Sequence, residues 1–191
     1  MHESKFMMRK IFFITAICFC FSAQAEDQWL EGKIVGVTDG DTATLLDSAY
    51  RQHEIRLAGI DAPETSCHAK KPSLWDDQCV ERGQPYGLAA KKNLSRLIFG
   101  KDVRVLLQQK GNGLDSSYGR DIGIIFVDGL DANLDQVKHG LAWHYIKYAK
   151  RYQTPEMFAA YSTAEKEAQE NKLGLWNDPA PAPPWLYRRA R

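Results

Sequence analysis

Short runs of alternating or β-branched residues predict five β-strands. The clearest run is residues 53–60, in which Ile55 and Leu57 alternate with polar neighbours, as on a half-buried strand. Upstream of it, the dipeptide Asp39-Gly40 is typical of a tight hairpin between two strands. The five predicted strands are residues 33–37, 42–46, 53–60, 103–107 and 122–127.

Helical spacing of apolar residues appears between and after these strands. Leu94, Leu97 and Ile98 recur at i, i+3 and i+4, which predicts a buried helical face. In the last helix Thr154 is the expected N-cap and Pro155 the first helical residue. Predicted helices thus run from near Pro85, Asn133 and Thr154 to just before Gly100, Gly140 and Gly174. This order predicts an α+β fold, a five-stranded OB-type β-barrel with about three helices.

The first 25 residues predict a cleavable export signal. Basic residues precede an apolar run at 11–21, and the small residues Ala23 and Ala25 follow it. The run is too short for a permanent membrane span, so we expect cleavage after Ala25, release to the periplasm or the medium, and no stable membrane association. A lipoprotein anchor is the alternative, because Cys18 and Cys20 lie near the end of the run.

The remaining chain is long enough for one compact domain, which we expect at residues 26–178. We also expect the protein to be a monomer. A Pro-rich, basic tail follows at 179–191 and is expected to be stiff and extended. Removing residues 1–25 leaves 22 basic and 23 acidic residues, a net charge of −1. Because a polyanion-binding protein usually shows a basic excess, any phosphate-binding charge must be concentrated locally.

Two cysteines, Cys67 and Cys79, remain after signal removal. An even pair in an exported protein predicts one disulfide. Metal binding by these cysteines and His68 is the alternative, although zinc sites usually have tighter paired spacings.

Three polar clusters could carry chemistry. In the first, Asp41 is a second carboxylate just beyond a turn that needs only Asp39-Gly40. In the second, Arg56 lies in an otherwise apolar strand, where a charge is costly unless it finds a partner or a polar cleft. The clusters span residues 39–42, 56–64 and 115–120, and each alone could be a solvated turn or strand end.

Taken together, these clusters resemble the staphylococcal nuclease (thermonuclease) family. The resemblance runs from about Trp29 to Trp176 and includes Ile55-Arg-Leu-Ala-Gly-Ile-Asp-Ala-Pro-Glu64, Tyr118-Gly-Arg120, Gly140-Leu-Ala142 and Gly174-Leu-Trp176. It implies a Ca²⁺-dependent endonuclease with little sequence preference, which hydrolyses phosphodiester bonds of DNA and RNA and leaves 3′-phosphates.

The same resemblance implies the site residues. One Ca²⁺ ion would be bound by the carboxylates of Asp41 and Asp61 and the backbone carbonyl of Ala62, hard oxygen ligands that suit calcium. Glu64 would hold the attacking water as general base, and Arg56 and Arg120 would contact the phosphate. Tyr118 and Tyr148 would line the nucleotide pocket. The chain departs from the family in having Ala62 where Thr is usual.

Three alternatives come from other classes of protein. A non-catalytic OB-fold module that binds nucleic acid would need aromatic and basic residues but not the converging acids. A phospholipase D-like enzyme would use His68-Ala-Lys70, but the Asp arrives one residue late and no second copy exists. A two-histidine ribonuclease would use His139 and His144.

The disulfide gives the first prediction. The purified mature protein should contain no free thiol, because Cys67 and Cys79 are joined. Mass spectrometry after alkylation, with and without prior reduction, tests this. Two thiols that alkylate without reductant would contradict it.

Overall fold

The computed structural model describes residues 27–65, 83–110 and 113–189. The predicted signal and both Cys67 and Cys79 lie outside these residues. The five barrel strands are β1 Gln28–Asp39, β2 Thr42–Leu46, β3 Gln52–Leu57, β4 Asp102–Leu107 and β5 Arg120–Val127. The helices are α1 Gly87–Ile98, α2 Ala132–Lys138, α3 Ile146–Tyr152, α4 Pro155–Glu170 and α5 Pro184–Tyr187.

The five strands close into a barrel. Antiparallel pairs join β1 to β2, β2 to β3, β1 to β4 and β4 to β5. The parallel pair of β3 with β5 completes the circle, with Ile55 opposite Asp121. Closure leaves none of the five with an unpaired edge, which confirms the predicted α+β, OB-type architecture.

Strand β1 is longer than predicted because it serves two neighbours. Its first half, residues 28–33, pairs with β4, and its second half pairs with β2. Register shifts after Ile34 and after Val37 let the strand bend between them.

The core fills the barrel and the space beneath α1, α2 and α4. Ile55 and Leu57 are buried as their alternation predicts, and Leu94 and Ile98 of α1 pack over the barrel. Thr154 caps α4 as predicted, since its Oγ1 accepts a hydrogen bond from Met157 N at 3.2 Å. The other fully or nearly buried apolar residues include Ile34, Leu45, Val105, Ile125, Val127, Val137, Tyr161, Ala164 and Leu175.

The structure contains more helix than the sequence predicted. α3 and α5 were not predicted, and α5 lies within the tail expected to be extended. Pro184, the first residue of α5, is buried, so the tail packs against the domain. Among the described residues, none of the helices combines the length and apolar character needed to cross a membrane.

A polar side chain in the core stabilises the junction between barrel and helices. Asn133 has no solvent exposure, and its Oδ1 accepts a hydrogen bond from Ile125 N at 3.2 Å. Its Nδ2 donates to Ala58 O at 3.1 Å and to Gly123 O at 3.2 Å. One amide group thus bonds to backbone groups of two chain segments.

We expect Asn133→Ala to lower the free energy of unfolding by at least about 1–3 kcal/mol, because buried backbone groups lose their partners. Denaturant unfolding measures the change. Asn171→Ala is the matched control, since this exposed side chain makes one bond, to Glu167 O, and its loss should cost about 0.5 kcal/mol or less. Equal effects of the two variants would contradict the structural role of Asn133.

Candidate active site

The turn between β1 and β2 places Asp41 inside one end of the barrel. Asp39 Oδ1 accepts a hydrogen bond from Asp41 N at 3.1 Å, which tightens the turn. Gly40 packs so closely that a Cβ there would lie 2.5 Å from Ala90 Cβ and 2.7 Å from Ala62 Cβ. Asp41 Oδ2 in turn accepts from Ala62 N at 2.7 Å. The turn therefore fixes Asp41 against the segment that follows β3.

Asp61 and Asp41 form a buried acidic pair held by one arginine. Asp61 lies in the short strand Ile60–Asp61, which pairs with Trp143–His144. Asp61 is 0% exposed and Asp41 1%. Arg56 of β3 contacts both, with Nη1 2.5 Å from Asp41 Oδ1 and Nη2 2.6 Å from Asp61 Oδ1.

The charges of this group are strongly coupled. Burial raises the pKa of Asp41, the charge of Arg56 opposes this, and the carboxylates of Asp39 and Asp61 add to the rise. Burial acts to lower the pKa of Arg56, but Asp41 and Asp61 outweigh it and the pKa is raised. Arg56 therefore stays charged.

Arg56 and Arg120 face the same cleft, which has a volume of about 760 Å³. Arg120 Nε donates to Ser117 O at 3.2 Å, and within the described residues no carboxylate forms an ion pair with it. Its guanidinium is therefore available to a ligand in the cleft. Besides these arginines, the lining includes three of the predicted residues, Glu64, Tyr118 and Tyr148.

The predicted tyrosines lie at the rim of the cleft. Tyr118 is 99% exposed and has a positive φ of 55° in the turn before β5. Tyr148 is half-exposed, and Lys147 Nζ and Arg151 Cζ lie 5.7 and 5.6 Å from its ring centroid. The exposed ring of Tyr118 is open to stacking by a base.

Three residues in this region were not predicted. Tyr145 lines the cleft and stacks on Trp185, with ring centroids 4.6 Å apart and planes 5° apart. Arg188 contacts two predicted site residues, with Nη2 2.6 Å from Asp61 Oδ2 and Nη1 2.7 Å from Glu64 Oε1. The basic, Trp-containing end of the tail was the only sequence signal for Trp185 and Arg188.

Neither histidine of the ribonuclease alternative lines this cleft. His144 is buried, with Nε2 2.9 Å from Gln153 Oε1 and Nδ1 3.2 Å from Ser162 Oγ. Burial lowers its pKa. His139 lies on the surface at the end of α2. The pair therefore does not form a catalytic site.

A larger cavity, of about 930 Å³, lies on another face of the barrel. It contains none of the predicted site residues. Arg104, one of its lining residues, is already paired with Glu31 at 3.0 Å and lies over the ring of Trp29. The predicted residues that line a cavity therefore line the smaller cleft.

Comparison with known proteins agrees with this geometry. Residues 54–178 match the sequence model of the family described as staphylococcal nuclease homologue. The chain is 32% identical over 185 residues to an uncharacterized endonuclease of Escherichia coli, covering 96% of this chain and all of the relative. It is also 32% identical over 169 residues to a micrococcal nuclease of Shigella flexneri, covering 83% of this chain and 80% of the relative.

The chain belongs to the staphylococcal nuclease family. Membership supports hydrolytic nuclease activity on nucleic acid and confirms the resemblance inferred from the sequence. The matched residues 54–178 include Arg56, Asp61, Glu64 and Arg120, whereas Trp185 and Arg188 lie beyond them.

The nuclease family uses metal ions, and the acidic pair fits one. Asp41 and Asp61 offer hard carboxylate oxygens in a buried setting where a cation offsets their repulsion. Among the described residues, no group of three or more His, Cys, Asp or Glu side chains could hold a metal by itself. Two carboxylates would therefore need a backbone carbonyl and water to complete the shell, as Ca²⁺ sites commonly have.

The contacts of the two arginines predict different effects on stability. The resemblance gave Arg56 and Arg120 the same role, contact with the phosphate, and that role alone would leave stability nearly unchanged in Arg56→Lys and Arg120→Lys. The structure changes this for Arg56: lysine loses the two-pronged contact, and a hydrogen bond to a charged group is worth about 1.5–3 kcal/mol.

Arg56→Lys should therefore lower the free energy of unfolding by more than about 1 kcal/mol. Arg120→Lys should change it by about 0.5 kcal/mol or less. Denaturant unfolding of the two variants in parallel measures both. Equal stabilities would show that the contacts of Arg56 do not stabilise the fold.

Proposed function

We propose that this chain is a Ca²⁺-dependent, sugar-nonspecific endonuclease that hydrolyses DNA and RNA and leaves 3′-phosphate ends. The observation that carries the proposal is the buried pair Asp41 and Asp61, held by Arg56 at the edge of a cleft that also presents Arg120. Burying two repelling carboxylates costs free energy, and a non-catalytic OB-fold module does not need them for binding.

The carboxylates of Asp41 and Asp61, with the backbone carbonyl of Ala62, are the proposed ligands of one Ca²⁺. When bound, the cation supplies Lewis-acid polarisation of the phosphate and neutralises charge that develops on it. A backbone ligand does not depend on the side chain, so the Ala at position 62 is compatible with this role.

Arg120 and Arg56 are the proposed phosphate ligands. A guanidinium donates two parallel hydrogen bonds to phosphate oxygens, and it stabilises the extra negative charge as water adds to phosphorus. Arg120 can do so directly. Arg56 presents a partly exposed side chain, 19% accessible, to the cleft while its guanidinium contacts the acidic pair.

Glu64 is the proposed general base. Its carboxylate accepts one proton of the water that attacks phosphorus in line, the bond from phosphorus to the 5′ oxygen breaks, and the departing 5′ oxygen takes a proton from solvent to become a hydroxyl. The phosphate then remains on the 3′ oxygen of the upstream nucleotide.

Tyr118 and Tyr148 are the proposed stacking surfaces for the nucleotide. Every base has a π-face, so stacking together with phosphate contacts gives binding with little sequence preference. Neither contact depends on the 2′ position of the sugar, which is why both DNA and RNA are proposed substrates. We further propose that the chain acts as an exported monomer, in the periplasm or the medium.

The decisive experiment is cleavage of plasmid DNA and of RNA in Ca²⁺, in Mg²⁺ and in excess chelator. Cleavage should require Ca²⁺, and polymerase should extend the product 3′ ends only after phosphatase treatment. Arg120→Lys should lose about 10²–10³ in rate, as expected for one transition-state contact.

Arg104→Lys is the matched control, since Arg104 lies on the other cavity and pairs with Glu31. Its activity should stay within a few-fold. Full activity in chelator would refute the metal assignment, and nucleic-acid binding without cleavage would favour the non-catalytic module.

A further inference from the structure

The tail beyond residue 178 folds back along the cleft. Gln84 Nε2 donates to Ala182 O at 2.9 Å, which attaches the tail to the segment before α1. α5 then places Trp185 on Tyr145, stacked at 4.6 Å, and edge-on to Trp143 at 6.2 Å. Arg188, one residue past α5, is thereby directed at the acidic pair.

The guanidinium of Arg188 bridges two acids that the proposed mechanism requires. Nη2 lies 2.6 Å from Asp61 Oδ2, and Nη1 lies 3.2 Å from Asp61 Oδ1 and 2.7 Å from Glu64 Oε1. This is a two-pronged contact to Asp61, the strongest geometry of an arginine–carboxylate pair. Burial acts to lower the pKa of Arg188, but the hydrogen bonds and charges of Asp61 and Glu64 outweigh it and raise the pKa.

Both carboxylate oxygens of Asp61 are therefore in contact with cationic side chains. Oδ1 contacts Arg56 and Arg188, and Oδ2 contacts Arg188. A divalent cation that binds Asp61 needs one of these oxygens and must compete for it.

Arg188 is the partner that can leave at lower cost. Arg56 belongs to a strand of the closed barrel and its side chain is 19% accessible. Arg188 is 39% accessible and follows a helix of only four residues near the end of the described chain. Because Arg188 is more exposed and follows a short terminal helix, its displacement disturbs less structure than displacement of a barrel residue.

We propose that Arg188 is a built-in competitor of the divalent cation, held by the tail on Asp61 and Glu64 until the cation replaces it. The inference rests on the proposed metal site. Because the fraction of molecules with a free Asp61 is reduced, the apparent affinity for the cation is reduced by the same fraction. The tail thus sets the cation concentration at which the nuclease becomes active.

The test is calcium binding by the mature chain, measured by isothermal titration calorimetry with Ca²⁺ alone and no nucleic acid. Arg188→Gln should bind Ca²⁺ more tightly than the wild type by about 5- to 150-fold, the usual range of a coupling between two sites. Arg188→Lys keeps the charge but loses the planar, two-pronged contact with Asp61. Its calcium affinity should lie between those of the wild type and Arg188→Gln.

Arg189→Gln is the matched control. It removes the same charge from the adjacent position, and in the described part of the chain Arg189 forms no ion pair. Its affinity should stay within about twofold of the wild type, since an exposed charge is screened by salt. Far-ultraviolet circular dichroism and the melting temperature of each variant confirm that it is folded.

The outcomes separate this inference from the proposed function. Calcium affinities that are equal in wild type, Arg188→Gln and Arg189→Gln would overturn the competitor and leave the metal site in place. Weaker binding by Arg188→Gln would overturn it too, because Arg188 would then support the site. Absence of calcium binding in every variant would overturn the metal site and the competitor together.

Discussion

The contact of Arg56 with Asp41 and Asp61 is the interaction on which this end of the barrel depends. Two buried carboxylates repel one another, and a low-dielectric setting makes that repulsion costly. The pairing of β2 with β3 brings a cation to these carboxylates. Thr42 pairs with Arg56, so the arginine lies beside Asp41, the residue before Thr42. Leu57 N also donates to Asp41 O at 2.8 Å, which locks the two strands at this point.

The cleft has two sides of different construction. The barrel side carries the charged residues on strands and on the tight turn at Gly40, where backbone positions are well determined. The opposite side comes from later elements and includes two aromatic residues, Tyr145 just before α3 and Tyr148 within it. Trp185 of α5 stacks on Tyr145. The tail therefore contributes to the rim of the cleft and also contacts the acidic pair, through Arg188 and Asp61.

Local patterns in the sequence predicted the barrel well and the tail poorly. Strand β2 and the start of α4 were predicted correctly because hairpin residues and a Thr-Pro cap act over a few positions. α3 is seven residues long, too short for apolar residues to recur with a clear helical period. It also has no side-chain cap to mark where it begins. The docking of Arg188 depends on contacts with residues such as Asp61, far away in the chain, which no local pattern encodes.

The parallel pairing of β3 with β5 has a consequence for the order in which the molecule assembles. Asp121, the partner of Ile55, is synthesised only after the intervening helix and β4, and non-local pairing of this kind is intrinsically slow. The acidic pair is synthesised early, yet the strand that closes the barrel, β5, is synthesised late. A chain still emerging from the ribosome therefore carries the acidic pair before β5 can close the barrel around it.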